Sequence, residues 1–259
     1  LIQVCVEVQD DFQIYSGLCL SHADPISIFK ITIYEWKSMN IIDAIRNRAS
    51  VRAFIDRSVS KDVIHKILDT ARWAPSGANI QPWQVVVISG DTKRKIGDAL
   101  VEARSSGQAS KPDYRYYAKR IAEPYRSRQK SCGAALYETL GIRRDDKEAR
   151  THQWLKNYHG FGASVELLFL IDSVLEKGSW VDLGMFIQNV MLVARGHGLE
   201  TCPQASMAEF PDIVRDILKL PDSLSLVCGV ALGYPAGDDP VNKYRAGREP
   251  VECFTTWFG

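Results

Sequence analysis

The sequence carries almost no excess charge of either sign: 32 basic residues stand against 31 acidic ones, a net +1. A protein that grips a nucleic-acid backbone usually shows a basic surplus or stripe, so this balance argues against that class of partner. Long apolar runs are lacking too. The densest stretch, Val165 to Ile171, spans seven residues, well short of the roughly 20 that a membrane helix needs. Residues 1–38 contain no basic segment followed by an apolar one, so no secretory signal is read there. The six cysteines (Cys5, Cys19, Cys132, Cys202, Cys228 and Cys253) form no C-x-x-C pair, and the five histidines (His22, His65, His152, His159 and His197) form no ligand pair and no Ser/His/Asp pattern. No metal site is expected, and the cysteines read as reduced thiols of a cytoplasmic protein rather than as a disulfide framework. A Walker A loop is missing, and so is a G-x-G-x-x-G opening a helix after a strand, which disfavours the common nucleotide folds.

What is present is ample core material, 46% apolar over 259 residues, and one main domain is expected. Met39, just ahead of a capped helix, would make a natural start, so residues 1–38 are expected to be an extension, with the alternation over 26–36 reading as a strand. Asn40 caps a short helix whose Ile41, Ile42 and Ile45 share a face, and Ser60 caps a second one carrying Val63, Ile64, Ile67, Leu68 and Ala71. Pro75 stops that helix. Three core strands are expected over 83–89, 164–171 and 224–234, with helices over 91–104, 180–195 and 211–219. Residues 113–157 read as a helix-rich excursion over a site, and 199–203 as an extended run into a turn. Strands and helices without a strict βαβ rhythm give an α+β or mixed α/β layer.

Chemistry concentrates in a few segments. Arg48 and Arg52 lie four apart at a helix end, where guanidiniums can fork onto phosphate oxygens or a carbonyl edge, and Ser50 adds a hydroxyl between them. The same string also reads as surface charge. Pro75-Ser-Gly-Ala-Asn-Ile-Gln-Pro-Trp83 is a stiffened loop in which Asn79 and Gln81 each carry a donor and an acceptor, as the edge of a flavin pyrimidine ring would require. It also fits an ordinary helix-to-strand turn. Gly198-Leu-Glu-Thr-Cys-Pro-Gln-Ala-Ser206 is a helix stop whose small residues could let backbone amides approach a ring. Arg245 and Arg248 are solvated tail charges unless the tail returns to a phosphate. Trp154, Tyr158 and Phe161 fit core, lid or substrate pocket.

In this order the segments resemble the nitroreductase family of FMN-dependent enzymes, from about Asn40 to the C-terminus, residues 39–259 being the FMN-binding domain. The resemblance implies an α+β fold with a central mixed sheet flanked by helices, an intertwined homodimer, and FMN sites at its interface. It places Arg48, Ser50, Arg245 and Arg248 around the phosphate and ribityl chain, with Ala49 contributing through its backbone. Arg52, the catalytic candidate, would face the flavin N1/O2 edge and stabilise negative charge there. Asn79, with Gln81 beside it, would address the pyrimidine ring, and Pro75 and Ser76 would come from the partner. The turn Pro203, Gln204, Ala205 and Ser206 would lie by the ring, the Ala205 amide near N5. Many relatives have a second basic residue where Ala49 stands, and some an acidic residue and a glycine at Ala205 and Ser206, so only backbone roles carry over there. The implied activity is ping-pong electron transfer from NADPH or NADH to nitroaromatic compounds or quinones, with Trp154 and Phe161 against a small aromatic substrate. A flavin-fragmenting or dehalogenating relative, and a flavin carrier without turnover, are the competing readings.

Overall fold

The computed structural model describes residues 39–259. The strand expected over 26–36, Cys5, Cys19 and His22 lie outside the described residues. The Asn40 side chain accepts a hydrogen bond from the Ile42 amide (2.8 Å) and opens α1 (Ile41–Asn47). The face shared by Ile41, Ile42 and Ile45 is exposed, and only Ala44 is buried. Arg195 explains that orientation: its Nη1 donates to the carbonyl oxygens of Ala44 (2.8 Å) and Asp43 (3.3 Å), capping the last turn from below.

Ser60 accepts from the Val63 amide and starts α2 (Lys61–Ala71), which buries Ile64, Ile67 and Ala71 at helical spacing. There follow β1 (Gln84–Ser89), α3 (Gly90–Ser105), α4 (Tyr125–Thr139), α5 (Lys147–Leu155), β2 (Val165–Asp172), α6 (Lys177–Gly196), β3 (Glu200–Gln204), α7 (Pro211–Leu218) and β4 (Leu224–Gly233). The extended run expected at 199–203 is thus a full fourth strand. Sheet order is β1-β2-β4-β3, with every ladder antiparallel. Among the described residues the parallel pairing expected of a mixed sheet is confined to one isolated bridge, Ser50 to Thr201, where the Val51 amide donates to the Thr201 carbonyl at 3.0 Å.

Strand alternation divides the core. Val165, Leu167, Phe169 and Ile171 turn one way, onto α2 and α6, where Trp83 stacks on Phe186 with centroids 4.8 Å apart. Leu168 and Leu170 turn the other way, toward α3 and α7, and join Ile96, Leu100, Phe210 and Val214. Helices on both faces of an antiparallel sheet make the fold α+β. Among the described residues no helix is long and apolar enough to cross a membrane.

Candidate functional site

β3 is the axis around which the basic residues gather. Arg48 caps α1 and leaves it in extended conformation (φ −60°, ψ 126°), which carries Ser50 alongside Thr201. Further on, Ile55 donates to the Tyr234 carbonyl (3.0 Å) and Ala236 to the Ala53 carbonyl (2.9 Å), so the segment passes from β3 to the end of β4. The tail then folds back over it. Asn242 is the staple: its Oδ1 accepts from the Arg52 amide, and its Nδ2 donates to the Ala53 and Ala236 carbonyls, all at 2.8 Å. Nothing in the local sequence marked this residue, because two of its three partners, Arg52 and Ala53, lie some 190 positions away.

Four guanidiniums converge here. Burial depresses Arg48, the charge of Arg248 depresses it further, and Glu200 only partly offsets both; Arg48 Nη1 is buried without a hydrogen-bond partner. Glu200 is raised by burial and drawn back by Arg195, with which it pairs at 2.9 Å, and then by Arg245 and Arg48. Cys202 is pushed up by burial and held back by Arg52 and Arg48. Arg52 donates through Nη1 to the Ser50 carbonyl (3.1 Å), whereas Arg245 and Arg248 are turned onto carbonyls of their own tail. The cluster has more fixed positive charge than partners, which is the condition of an anion site.

The remaining candidates are distributed as follows. Pro203, Gln204, Ala205 and Ser206 line a cavity of about 450 Å³ together with Trp154, Asn157 and the Tyr114–Tyr117 run. Phe161 is buried at 7% exposure in a small cluster with Phe54, Cys202 and Ala231, and it borders a different cavity of about 490 Å³ beside Arg52. Trp154 and Phe161 thus line two different cavities. Arg245 and Arg248 meet α4 in a third cavity of about 560 Å³, where the Tyr244 hydroxyl donates to the Cys132 carbonyl.

The Pro75–Gln81 loop stands apart from all of these. Ser76 Oγ accepts from the Gln81 amide (3.0 Å), Asp182 of α6 accepts from the Gly77 amide (3.1 Å), and Ala78, Asn79 and Gln81 all hold positive φ. Three non-glycine residues in left-handed conformation within one loop is strain of the kind that collects at functional sites. Asp182, which anchors this loop, and Arg195, which anchors α1, are thirteen residues apart on one helix, an axial distance of about 20 Å at 1.5 Å per residue. The loop and the arginine segment are thus fastened to opposite ends of α6.

Removing the staple is a direct test of how this region is held. Asn242→Ala leaves the Arg52 amide without its partner and takes one of two donors from each of the Ala53 and Ala236 carbonyls, expected to cost about 2 kcal/mol for half-buried groups. A melting temperature lower by roughly 4–8 °C follows for a chain of this size, and Asn242→Asp, which keeps the acceptor but loses both donors, should fall between. An unchanged melting curve for Asn242→Ala would mean that the tail does not hold the arginine segment.

Fold and site together define an α+β protein with an anion-seeking arginine cluster along one sheet edge and a strained loop presented elsewhere on its surface. The chain belongs to the nitroreductase family, whose model matches residues 45–234. It is 39% identical over 215 residues to the 4-nitrobenzoate reductase of Pseudomonas putida, covering 83% of this chain and 94% of that one. Among solved structures it resembles the FMN and NADPH-dependent nitroreductase NfnB from Sphigopyxis sp. strain HMH, at TM-score 0.83 and 37% identity over 85% of this chain and 100% of that one. It likewise resembles the FMN-dependent nitroreductase NfnB from Mycobacterium smegmatis in complex with NADPH, at TM-score 0.80 and 28% identity over 83% and 96% of the two chains.

Proposed function

We propose that this protein is a cytoplasmic, FMN-dependent NAD(P)H reductase of nitroaromatic compounds, built as a homodimer on residues 39–259 with residues 1–38 as an extension. The single observation that carries the reading is the buried, unpartnered Nη1 of Arg48, a guanidinium depressed first by burial and then by its neighbour Arg248. A phosphate monoester relieves that repulsion and supplies the missing acceptor, so the donor set fits FMN. Ser50 and Thr201 mark the phosphate end of β3 and Ala205 its ring end; four residues of extended chain make about 13 Å between them, room for a ribityl chain between phosphate and ring. Bound FMN supplies two-electron transfer between a nicotinamide and an electron-poor arene.

The chain's own groups have separate tasks in this reading. Arg48, Arg245 and Arg248 hold the phosphate, the two tail guanidiniums leaving their backbone carbonyls to do so. The Ala49 backbone and the Ser50 hydroxyl hold the ribityl chain, and the turn Pro203, Gln204, Ala205 and Ser206 offers backbone amides to the ring. Arg52 fixes positive charge against the N1/O2 edge. Asn79 and Gln81, with Pro75 and Ser76, reach the ring from the partner, a reading that the separation of the two anchors along α6 supports. The exposed apolar residues Ile41, Ile42 and Ile45 of α1 and Phe254, Trp257 and Phe258 of the tail are then covered by the second copy. Trp154 and the tyrosine run beside the Pro203–Ser206 turn stack the nitroarene, with Phe161 backing the Arg52 side, and reductant and arene take turns in one slot.

Support for reduction over flavin fragmentation, dehalogenation or mere flavin carriage comes from the names borne by relatives at 37–39% identity, 4-nitrobenzoate reductase and nitrobenzene nitroreductase. The purified protein should be yellow, and NADPH oxidation should begin when 4-nitrobenzoate or a quinone is added. A colourless dimer that refuses added FMN ends the proposal, and a yellow one that oxidises neither NADPH nor NADH with any nitroarene or quinone reduces it to flavin binding.

A further inference from the structure

One carboxyl interrupts the apolar stripe that β2 turns toward α3. Glu166 is 1% exposed, and neither of its oxygens has a hydrogen-bond partner. Two glycines make room for it. A Cβ on Gly160 would lie 2.6 Å from Oε2, and one on Gly229 would collide with Oε1 and come within 2.5 Å of Met207 Cγ. The carboxyl is therefore wedged between the 3-10 segment Lys156–Gly162, through Gly160, and the 3-10 turn Ala205–Ala208, through Met207. These two segments are tied a second time by Gln204, whose Nε2 donates to the Asn157 carbonyl.

We propose that Glu166 is a positioning residue that works as an uncharged acid, spacing the flavin-facing Ala205–Ser206 turn from the Lys156–Gly162 segment, and that its ionisation unseats that turn. This rests on the flavin reading above. A carboxylate in that place finds no donor for either oxygen and must either draw one in or move toward water. The one nearby cation among the described residues, Lys93 of α3, gives its Nζ to the His159 carbonyl at 2.7 Å and makes no ion pair with the carboxyl, so it would have to shift to reach it. The other groups facing the carboxyl are Cys202 of β3 and Cys228 of β4, each pushed up by burial to about 12, and His159, whose ring turns outward to Asp98 at 3.6 Å. Burial likewise raises the Glu166 carboxyl, up to about 8, with Lys93 opposing. Its pKa being higher folded than unfolded, the stability it contributes is complete below the unfolded value near 4.5 and drains away as pH rises to the folded value, with no further loss above it.

The experiment is a titration of FMN into apoprotein, followed by flavin fluorescence from pH 6 to 9.5, for the wild type, Glu166→Gln and Glu166→Leu. The wild-type dissociation constant is expected to rise about tenfold or more above pH 8. Both variants, permanently neutral, should stay flat and lie within about threefold of the wild type at pH 7. A Glu166→Gln profile that rises with the wild type overturns the proposal, and so does failure of that isosteric variant to fold or to bind FMN at pH 7. If wild-type protein takes no FMN at any pH, the flavin reading fails, and melting of the apoproteins still decides the role of Glu166. An advantage of Glu166→Gln that widens from about pH 5 to 8 and then holds constant supports the wedge, and a difference independent of pH overturns it.

Discussion

Arg52→Ala is expected to fold and to retain FMN at raised concentration while reducing nitroarenes about 100- to 1000-fold more slowly. The backbone at this position is held independently of its side chain, by Asn242 at the Arg52 amide and by the neighbouring Val51–Thr201 bond. Truncation therefore removes a charge without releasing the segment. A fixed cation in a half-buried cleft acts in a low dielectric and needs no reorganisation when charge develops, which is why such a donor is worth about 2.7–4 kcal/mol in a transition state. The flavin potential should fall in step with the rate, because the same guanidinium stabilises negative charge at N1/O2 in both measurements. Arg52→Lys should recover part of the potential and less of the rate, since a point charge replaces a planar fork. A variant that loses affinity but keeps its rate and potential would remove Arg52 from the catalytic machinery and leave it a binding residue.

What was legible in the sequence was whatever depends on neighbours along the chain. The caps Asn40 and Ser60, the stripe of α2, the buried run of β2 and the stop at Pro75 follow from local periodicity and backbone chemistry, and they stand as expected. β3 was harder, because a five-residue strand containing Pro203 has little pattern of its own; what makes it a strand is β4, whose Gly229 to Gly233 edge pairs with it residue by residue. The α1 isoleucines share a face as their spacing requires, but Arg195 turns that face outward, and nothing within α1 could announce this. Asn242 and Glu166 were invisible for the same reason. One is a staple between distant segments, and the other occupies a gap that only the backbones of Gly160 and Gly229, brought together by folding, create. Phe161 fits core, lid or substrate pocket from its sequence alone; in the fold it has a positive φ (54°) and lies in the cluster with Phe54 and Cys202.

Mixing two inactive variants should regenerate activity, and this is the sharpest consequence of a site divided between copies. Take Arg52→Ala as one partner and the double variant Asn79→Gly/Gln81→Gly as the other. Glycine suits the second because both positions hold positive φ (57° and 49°), so the carboxamides are deleted while backbone strain is relieved rather than added. If each FMN site takes its arginines from one protomer and its Pro75–Gln81 loop from the other, a heterodimer contains one site with both lesions and one with neither. Equal mixing gives about half heterodimers by random pairing, hence about one quarter of the wild-type sites intact. Unfolding and refolding the mixture should raise nitroarene reduction from near background to about that level, whereas each variant refolded alone stays inactive. A site contained within one protomer predicts no recovery, because every protomer in the mixture then carries a lesion in its own site. The roughly 20 Å along α6 between the Asp182 and Arg195 anchors supports the divided site proposed above, and recovery is the result that reading expects.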